Sequence, residues 1–529
     1  MTDQKRFAPL FRALIVLLIA CGAIARVVPL MDQEGRLLEQ YPSEDGYLML
    51  TIARNIALGH GMSTAEGTIP TNGTQPLVNF LWAIGFFVLG GAKKAGVLFA
   101  LICQVVFSGV AARQLYLLSR RLTTRHQRSA ELSALAAAGW YATMLSCMHG
   151  MNCLETGAYA LGVIAFLRYL TSRDEDPLAR WSFRRALTLG VALGVVFWIR
   201  IDTVFLILGA CLTRAVLVEE GRFRIELRNV TSAVVMGLTT IVVASPWLAY
   251  NQLQFGSVMP ISGTAQSWAA GFGQNLTQAI ANLAEYVLVV LPIPQPIEKH
   301  PAVNAICAAV LLFAIGLLVR EWRQTDGRVR AALATFGVFT ICLFAYYGLF
   351  FGAPHFVGRY LYPASPFLAI LWAAVICSAW DRFTWLRAKP VSVLAGCMLI
   401  AVTVYPNVRL YGKGSRHQHF QVVEWVDENV ADDVWGGAVQ TGPLGFFHDR
   451  TINLDGKVNP EALEAALARQ IPQYVLDRNL QYLADWKGIA QWVEDYPEIR
   501  DNFDLVVHDE EENLAILRRK TRFAAGAKQ

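Results

Sequence analysis

"LVNFLWAIGFFVLGGAKK", Leu77 to Lys94, decides how the whole chain is threaded. Its apolar part, Leu77 to Leu89, is about thirteen residues long, short of the roughly 20 that a spanning helix needs, and Gly90, Gly91, Lys93 and Lys94 follow it. If it crossed a bilayer, the next connection, "RRLTTRHQR" with Arg120, Arg121, Arg125 and Arg128, would fall outside, against the preference of Arg-rich loops for the cytoplasm. Length and charge together predict an interfacial or re-entrant helix on the outer leaflet.

Outward from that segment, apolar runs of spanning character recur at 9–30, 95–118, 131–148, 153–170, 186–199, 201–218, 230–250, 303–320, 331–351, 360–379 and 390–406. The connections 119–128, 171–185, 219–229, 320–330 and 381–389 are rich in arginine and belong inside. About eleven transmembrane helices result, with a cytoplasmic N-terminus and an outer C-terminus. The first run follows Lys5 and Arg6 and is expected to be an uncleaved anchor.

Composition agrees with this reading. Of 529 residues 54% are hydrophobic and 16% charged, too apolar for an ordinary soluble enzyme. A net charge of +5, dispersed through short loops, does not suggest a nucleic-acid partner. Most of the nine cysteines lie in apolar runs, where they act as small hydrophobes, and none has metal-ligand spacing. Cys147 and Cys153, flanking the turn in "CMHGMNC", are placed where a disulfide could form.

The chain divides into a transmembrane domain over 1–406, with a first outer loop at 31–94, and an outer α/β domain over 407–529. In the latter, helical periodicity over Phe420–Val430 precedes a β-like "VWGGAVQ" and a turn at Thr441-Gly442-Pro443. A β-like "TINLD", a helix start near Pro460 and a terminal hairpin in "FDLVVHDEEENLAILRRK" follow.

That topology brings the unusual polar residues to one side. Glu44 and Asp45, His149 and Glu155 in the turn "HGMNCLE", Arg200 and Asp202, the loop 251–302, and His355 and Arg359 in "HFVGRY" all fall outside.

These segments also carry a resemblance. "EDGYLMLTIARNIALGHG" continuing into "PTNGTQPLVNFLW" resembles the first outer loop of bacterial GT-C glycosyltransferases, integral membrane enzymes that take sugars from polyprenyl-phosphate donors. "MNCLETGAYAL", "SPWLAYNQLQFGSVMPISG", "GRYLYP" and "GAVQTGPLGFFHDRTINLDGKVN" are similar to later motifs of that group, in the same order and over nearly the whole chain. The aminoarabinose transferase of lipid A and protein O-mannosyltransferases are more distant relatives of the type. The resemblance implies a polytopic α-helical GT-C fold with interfacial helices in the first outer loop. It also implies a hexosyl- or pentosyltransferase activity working at the outer face of the bacterial cytoplasmic membrane. A departure is Glu44, where the group more often has Asp.

Transfer from a lipid-phosphate sugar needs a base for the acceptor hydroxyl and positive charge on the departing phosphate. Asp45 is the candidate base, with Glu44 orienting it or holding the acceptor. The pair also suits the N-terminus of a helix beginning near Tyr47, where acids are favoured. Arg359 and Arg200 are candidates for the donor phosphate because guanidinium binds it bidentately, though arginines at helix ends also reach headgroups on their own account. His355, Lys299 and His300 are further candidates for lipid-phosphate contact. Asn72 and Gln75 in "PTNGTQP" are candidate donor-sugar contacts, with a plain turn as the structural alternative.

Glu155, costly if unpaired at the start of an apolar helix, either pairs with Arg200 or helps Asp45 hold a divalent ion. With oxygen ligands that ion would be Mg²⁺ or Mn²⁺, but no spacing is diagnostic of a metal. Asp455 and Lys457 follow a β-like run in "NLDGKVN", where Asp-Gly reads as a turn. Expected partners are the polyprenyl-phosphate sugar, membrane lipids and a glycan, lipid or protein acceptor. A transporter or lipid flippase is the alternative for a chain with this many spans. Against it, the charges cluster at helix ends rather than at the midplane, and there is no internal repeat.

Overall fold

The computed structural model describes residues 2–32, 35–172, 181–219, 222–268, 270–279, 281, 300–321, 325–351, 357–412 and 419–520. Lys299 and His355 lie outside the described residues, as does all of 282–299. The chain forms two compact units.

The first unit comprises residues 1–33, 101–248 and 269–414 and is helical. Each apolar run expected to span is a helix over most of its length. Among the described residues Pro9–Met31, Lys93–Leu122, Leu227–Phe255, Gly327–Leu349, Val357–Arg382 and Lys389–Arg409 are long and apolar enough to cross a membrane. Thr156–Leu170 and Thr203–Ala215 are apolar but shorter.

The run expected over 131–148 is divided into helices Ser129–Ala142 and Met144–Gly150. Thr143 between them is extended (φ −68°, ψ 147°), and its Oγ accepts from Ser146 N at 3.3 Å, capping the second helix. The break frees carbonyls at the end of the first helix, and the fully buried Arg26 answers them. Its Nη1 donates to Tyr141 O at 2.7 Å and to Gly22 O at 2.9 Å, while Nη2 reaches Ser146 Oγ at 3.0 Å. A cation at a helix C-terminus is stabilised by the dipole as well.

Small residues permit close helix approach elsewhere. A Cβ on Gly209, in Thr203–Ala215, would lie 2.6 Å from Thr335 O in Gly327–Leu349. Cys147 and Cys153 are buried free thiols, so the disulfide that their spacing permits is not formed.

The second unit comprises residues 34–100, 249–268 and 415–529, so the first outer loop folds with the tail. Besides a two-stranded pairing of Ser63–Thr64 with Ile69–Pro70, its described residues form a sheet of five strands in the order Thr451–Asn453, Gly436–Ala438, Tyr482–Asp485, Leu514–Arg519, Phe503–Asp509. The first three are parallel and the last two antiparallel to their neighbours. The expected terminal hairpin is present, its turn held by Asp509 Oδ1 accepting from Glu511 N and Glu512 N, each at 2.9 Å.

The turn expected at Thr441-Gly442-Pro443 is instead the start of a helix, Gly442–Phe447. Pro443 sits in its first turn, where a missing N–H costs nothing. Glu44–Ala57 and Pro76–Val88 are the two main helices of the first loop, and the second of them is the segment too short to span. Tyr47 is fully buried and packs its ring against Phe420, Phe446 and Phe447 at centroid distances of 5.2–6.0 Å.

Candidate active site

The helix carrying the acidic pair starts one turn earlier than expected. Ser43 is its N-cap, with Oγ accepting from Gly46 N at 3.1 Å, and Glu44 and Asp45 occupy the first turn. The capping bond is therefore made by Ser43, which leaves both carboxylates for other partners.

Glu44 Oε1 accepts from the Gly442 backbone N–H at 2.9 Å. The two segments touch so closely that a Cβ on Gly442 would lie 2.2 Å from Glu44 O. Burial, and then the neighbouring Asp45 charge, hold the Glu44 carboxyl well above its ordinary range, against the pull of Lys457.

Lys457 belongs to a tight turn. Asn453 Oδ1 accepts from Gly456 N at 3.0 Å, Asn459 Nδ2 donates to Asn453 O at 2.7 Å, and Gly456 has a left-handed φ of +79°. Lys457 Nζ pairs with Asp455 Oδ2 at 2.9 Å, with 18% and 14% of the two side chains exposed. Burial alone would lower the Lys457 pKa, but Asp455, then Asp45 and Glu44, outweigh it and keep the ammonium charged. A Cβ on Gly73 would lie 2.1 Å from Lys457 O, so the "PTNG" and "NLDGKVN" motifs meet backbone to backbone. Lys457 reads locally as part of an Asp-Gly turn, and nothing in "TINLDGKVN" itself marks it as a site residue.

Asn72 is fully buried, and both ends of its amide are engaged. Nδ2 donates to Asn251 Oδ1 at 3.2 Å and Oδ1 accepts from Ile261 N at 3.0 Å. Its geometry makes it a tie between the first loop and residues 249–268 rather than the sugar contact expected. Gln75 is half-buried at the N-cap position of Pro76–Val88.

The helical unit holds a separate cluster. Arg200, 3% exposed, bonds the carboxylates of both Glu155 and Asp202. Tyr347 donates its hydroxyl to Asp202 Oδ1 at 2.7 Å and stacks on Tyr360 at 4.2 Å. Glu155 thus pairs with Arg200, one of its two expected roles. Arg200, with two carboxylates on its guanidinium, is the cation of a closed buried cluster rather than a phosphate ligand.

Tyr360 lies between two guanidinium groups, 4.3 Å from Arg200 Cζ and 4.9 Å from Arg359 Cζ. Arg359 is half-buried and donates to Tyr360 Oη at 3.0 Å. His149, in the helix Met144–Gly150, packs its ring against Tyr362 at a centroid distance of 5.3 Å. His300 is exposed, and its Nδ1 accepts from Ala302 N at 3.2 Å, closing the start of helix Pro301–Glu321.

The described residues do not fit a divalent ion. Among the described residues no three His, Cys, Asp or Glu side chains are grouped to hold one. Glu155, half of the expected Asp45–Glu155 pair, is neutralised by Arg200, and the acids around Glu44 already face an ammonium.

No protein-family profile matches the sequence, and no curated protein matches it. Solved structures do. ArnT from Cupriavidus metallidurans bound to undecaprenyl phosphate is similar over 97% of this chain and 99% of its own, with a TM-score of 0.62 at 12% identity. The archaeal oligosaccharyltransferase AglB from Archaeoglobus fulgidus, in complex with an inhibitory peptide and a dolichol-phosphate, covers 97% of this chain and 74% of its own, with a TM-score of 0.53 at 12% identity. The Archaeoglobus fulgidus oligosaccharyltransferase in complex with Zn and sulfate covers 91% and 69%, with a TM-score of 0.51. At these identities the likeness is one of fold, shared with ArnT and with the archaeal oligosaccharyltransferase.

Proposed function

We propose that the chain is an inverting glycosyltransferase. It moves a sugar from a polyprenyl-phosphate donor to a glycan, lipid or protein acceptor of the cell envelope, at the outer face of the bacterial cytoplasmic membrane. The observation that carries this reading is the GT-C fold, matched over 97% of the chain to an ArnT structure that holds undecaprenyl phosphate. The acidic pair on a helix already capped by Ser43 supports it independently.

In the reaction the acceptor oxygen attacks the anomeric carbon. A new C–O bond forms there as the bond to the phosphate oxygen breaks, and polyprenyl phosphate departs with the electron pair. The acceptor hydroxyl gives its proton to Asp45, the general base. Glu44, anchored to Gly442 N, orients Asp45 or the acceptor. Arg359 meets the charge on the departing phosphate, with Lys299, His300 and His355 as further contacts to the lipid phosphate. Gln75 remains a candidate contact to the donor sugar. A resident divalent ion has no role in this scheme.

The test is release of free polyprenyl phosphate by the purified protein in lipid nanodiscs, across a panel of polyprenyl-phosphate sugars and with Asp45→Asn alongside. Release with one sugar, lost in a variant that still folds, is expected. Full activity in Asp45→Asn overturns the assigned base. Substrate movement into sealed vesicles without sugar release would turn the reading toward a transporter.

A further inference from the structure

The acidic pair raises a problem that the sequence does not solve. Two adjacent carboxylates at the start of one helix repel each other, a repulsion that a divalent ion held between them would relieve. Here the described residues offer no such ligand group. They offer instead one ammonium amid three carboxylates. Lys457 pairs directly with Asp455 and interacts electrostatically with Asp45 and Glu44.

The placement of that ammonium is built. Lys457 N donates to Asp455 Oδ1 at 2.9 Å, and its carbonyl lies against Gly73 with no room for a side chain between them. A Cβ on Gly456 would lie 2.8 Å from the Leu463 backbone, so the turn is fixed against the following helix Pro460–Leu467. On the other side the Gly442 N–H holds Glu44.

Resting on the glycosyltransferase reading, we propose that Lys457 is the resident cation of the Glu44–Asp45 site, a positioning residue from the tail whose ammonium takes the place of a divalent ion. It compensates the charge of the pair and holds Asp45 ionised and aimed at the acceptor hydroxyl. An ammonium is a compact point charge with three donors, suited to several carboxylates at once. A lysine serving only to brace its own turn through Asp455 would contribute to folding and leave the base unaltered.

The experiment has two arms on the full chain in nanodiscs. In the first, Mn²⁺ binding is read by electron paramagnetic resonance for wild type and Asp45→Asn. The two are expected to be indistinguishable; Mn²⁺ bound by wild type and lost in Asp45→Asn overturns the proposal without reference to any donor. In the second, kcat and KM for polyprenyl-phosphate release are followed from pH 5 to 9 for wild type, Lys457→Met, Lys457→Arg and Asp455→Asn. Lys457→Met is expected to lose about tenfold or more in kcat with little change in KM. Its acid limb should move up by about one pH unit, because the base loses a neighbouring positive charge. Lys457→Arg should bring the limb back.

Asp455→Asn keeps the ammonium and removes a competing carboxylate, so its acid limb should move down; it reports on the proposal even if Lys457→Met does not fold. A Lys457→Met protein with the wild-type pH profile, or an unmoved limb in Asp455→Asn, overturns the resident-cation role. Failure of the function reading is seen separately, as absence of release by wild type with every donor.

Discussion

At the scale of single residues, what separates a structural from a functional charge is how completely its partners are already supplied. Arg200 and Arg359 look alike in the sequence, each at the end of an apolar run. Arg200 is enclosed with two carboxylates, whereas Arg359 lies beyond the Tyr360 ring from that cluster. Removing the cation of a buried ion cluster leaves uncompensated charge, at a cost of about 3–5 kcal/mol. Arg200→Gln should therefore lower the thermal unfolding temperature markedly and lose activity as a consequence. Arg359→Gln should keep its unfolding temperature and raise KM for the lipid-phosphate donor. Comparing unfolding in detergent with release kinetics checks both, and an unfolding temperature unchanged by Arg200→Gln would refute the structural assignment. The acidic pair was legible because its members are adjacent and end a polar loop. Lys457 was not, since the residues that give it a role lie some four hundred positions away in sequence and its own surroundings read as a turn.

At the scale of elements, two features of the tail reach the first loop. Gly442 has an ordinary helical backbone, so its need for glycine is purely one of space: a Cβ would meet the Glu44 backbone at 2.2 Å. Backbone cannot swing aside as a side chain can, and such overpacking costs about 1–3 kcal/mol. Gly442→Ala should destabilise by that amount and depress release. Gly488→Ala, with nothing within 4 Å, should do neither. Unfolding midpoints of the two variants decide it. Upstream of Gly442, the buried Asp485 accepts from Val439 N, from Gln440 N at 3.0 Å and from Trp486 N at 2.7 Å, tying two strands to the segment that leads into Gly442.

Burial outweighs these three donors and pushes the Asp485 carboxyl from 3.8 up to about 6. The folded state thus binds its proton more tightly than the unfolded state. The resulting stabilisation is full below the unfolded value and is lost as pH rises through the folded one, amounting to about 3 kcal/mol. The stability difference between wild type and Asp485→Asn should accordingly shrink as pH goes from 4 to 7, measured by unfolding at each pH; a constant difference would refute the shift. Periodicity exposed the helices near 420 and 460 and the final hairpin. It missed the strand Tyr482–Asp485, whose four residues are too few to show alternation, and the helix at Gly442, which Gly-Pro disguises as a turn.

At the scale of the whole molecule, hydropathy exposes the spans because a bilayer demands long apolar helices, and the structure has a helix at every run so identified. The grouping of residues 34–100 and 249–268 with the tail was beyond the sequence, since it depends on contacts between distant segments. Topology follows from counting, and the count turns on Pro76–Val88. Thirteen helical residues rise about 20 Å, well short of a hydrocarbon core of about 30 Å. With that helix at the surface and about eleven spans, the charge rule would put the termini on opposite sides and the loop at Arg120–Arg128 in the cytoplasm. Were it a span, that loop would be external. In a cysteine-free background, a cysteine replacing Thr124 should resist a membrane-impermeant maleimide in intact cells and react only after lysis. One replacing Glu511, in the exposed hairpin turn of the tail, should react in intact cells once the reagent has access to the outer face of the cytoplasmic membrane. Labelling of Thr124→Cys from outside would make Pro76–Val88 a true span; the acidic pair, two crossings earlier, would stay on the outer side, but the later turns carrying Glu155 and Arg359 would move to the opposite face, and the proposed pairing of Asp45 with a phosphate on Arg359 would fail.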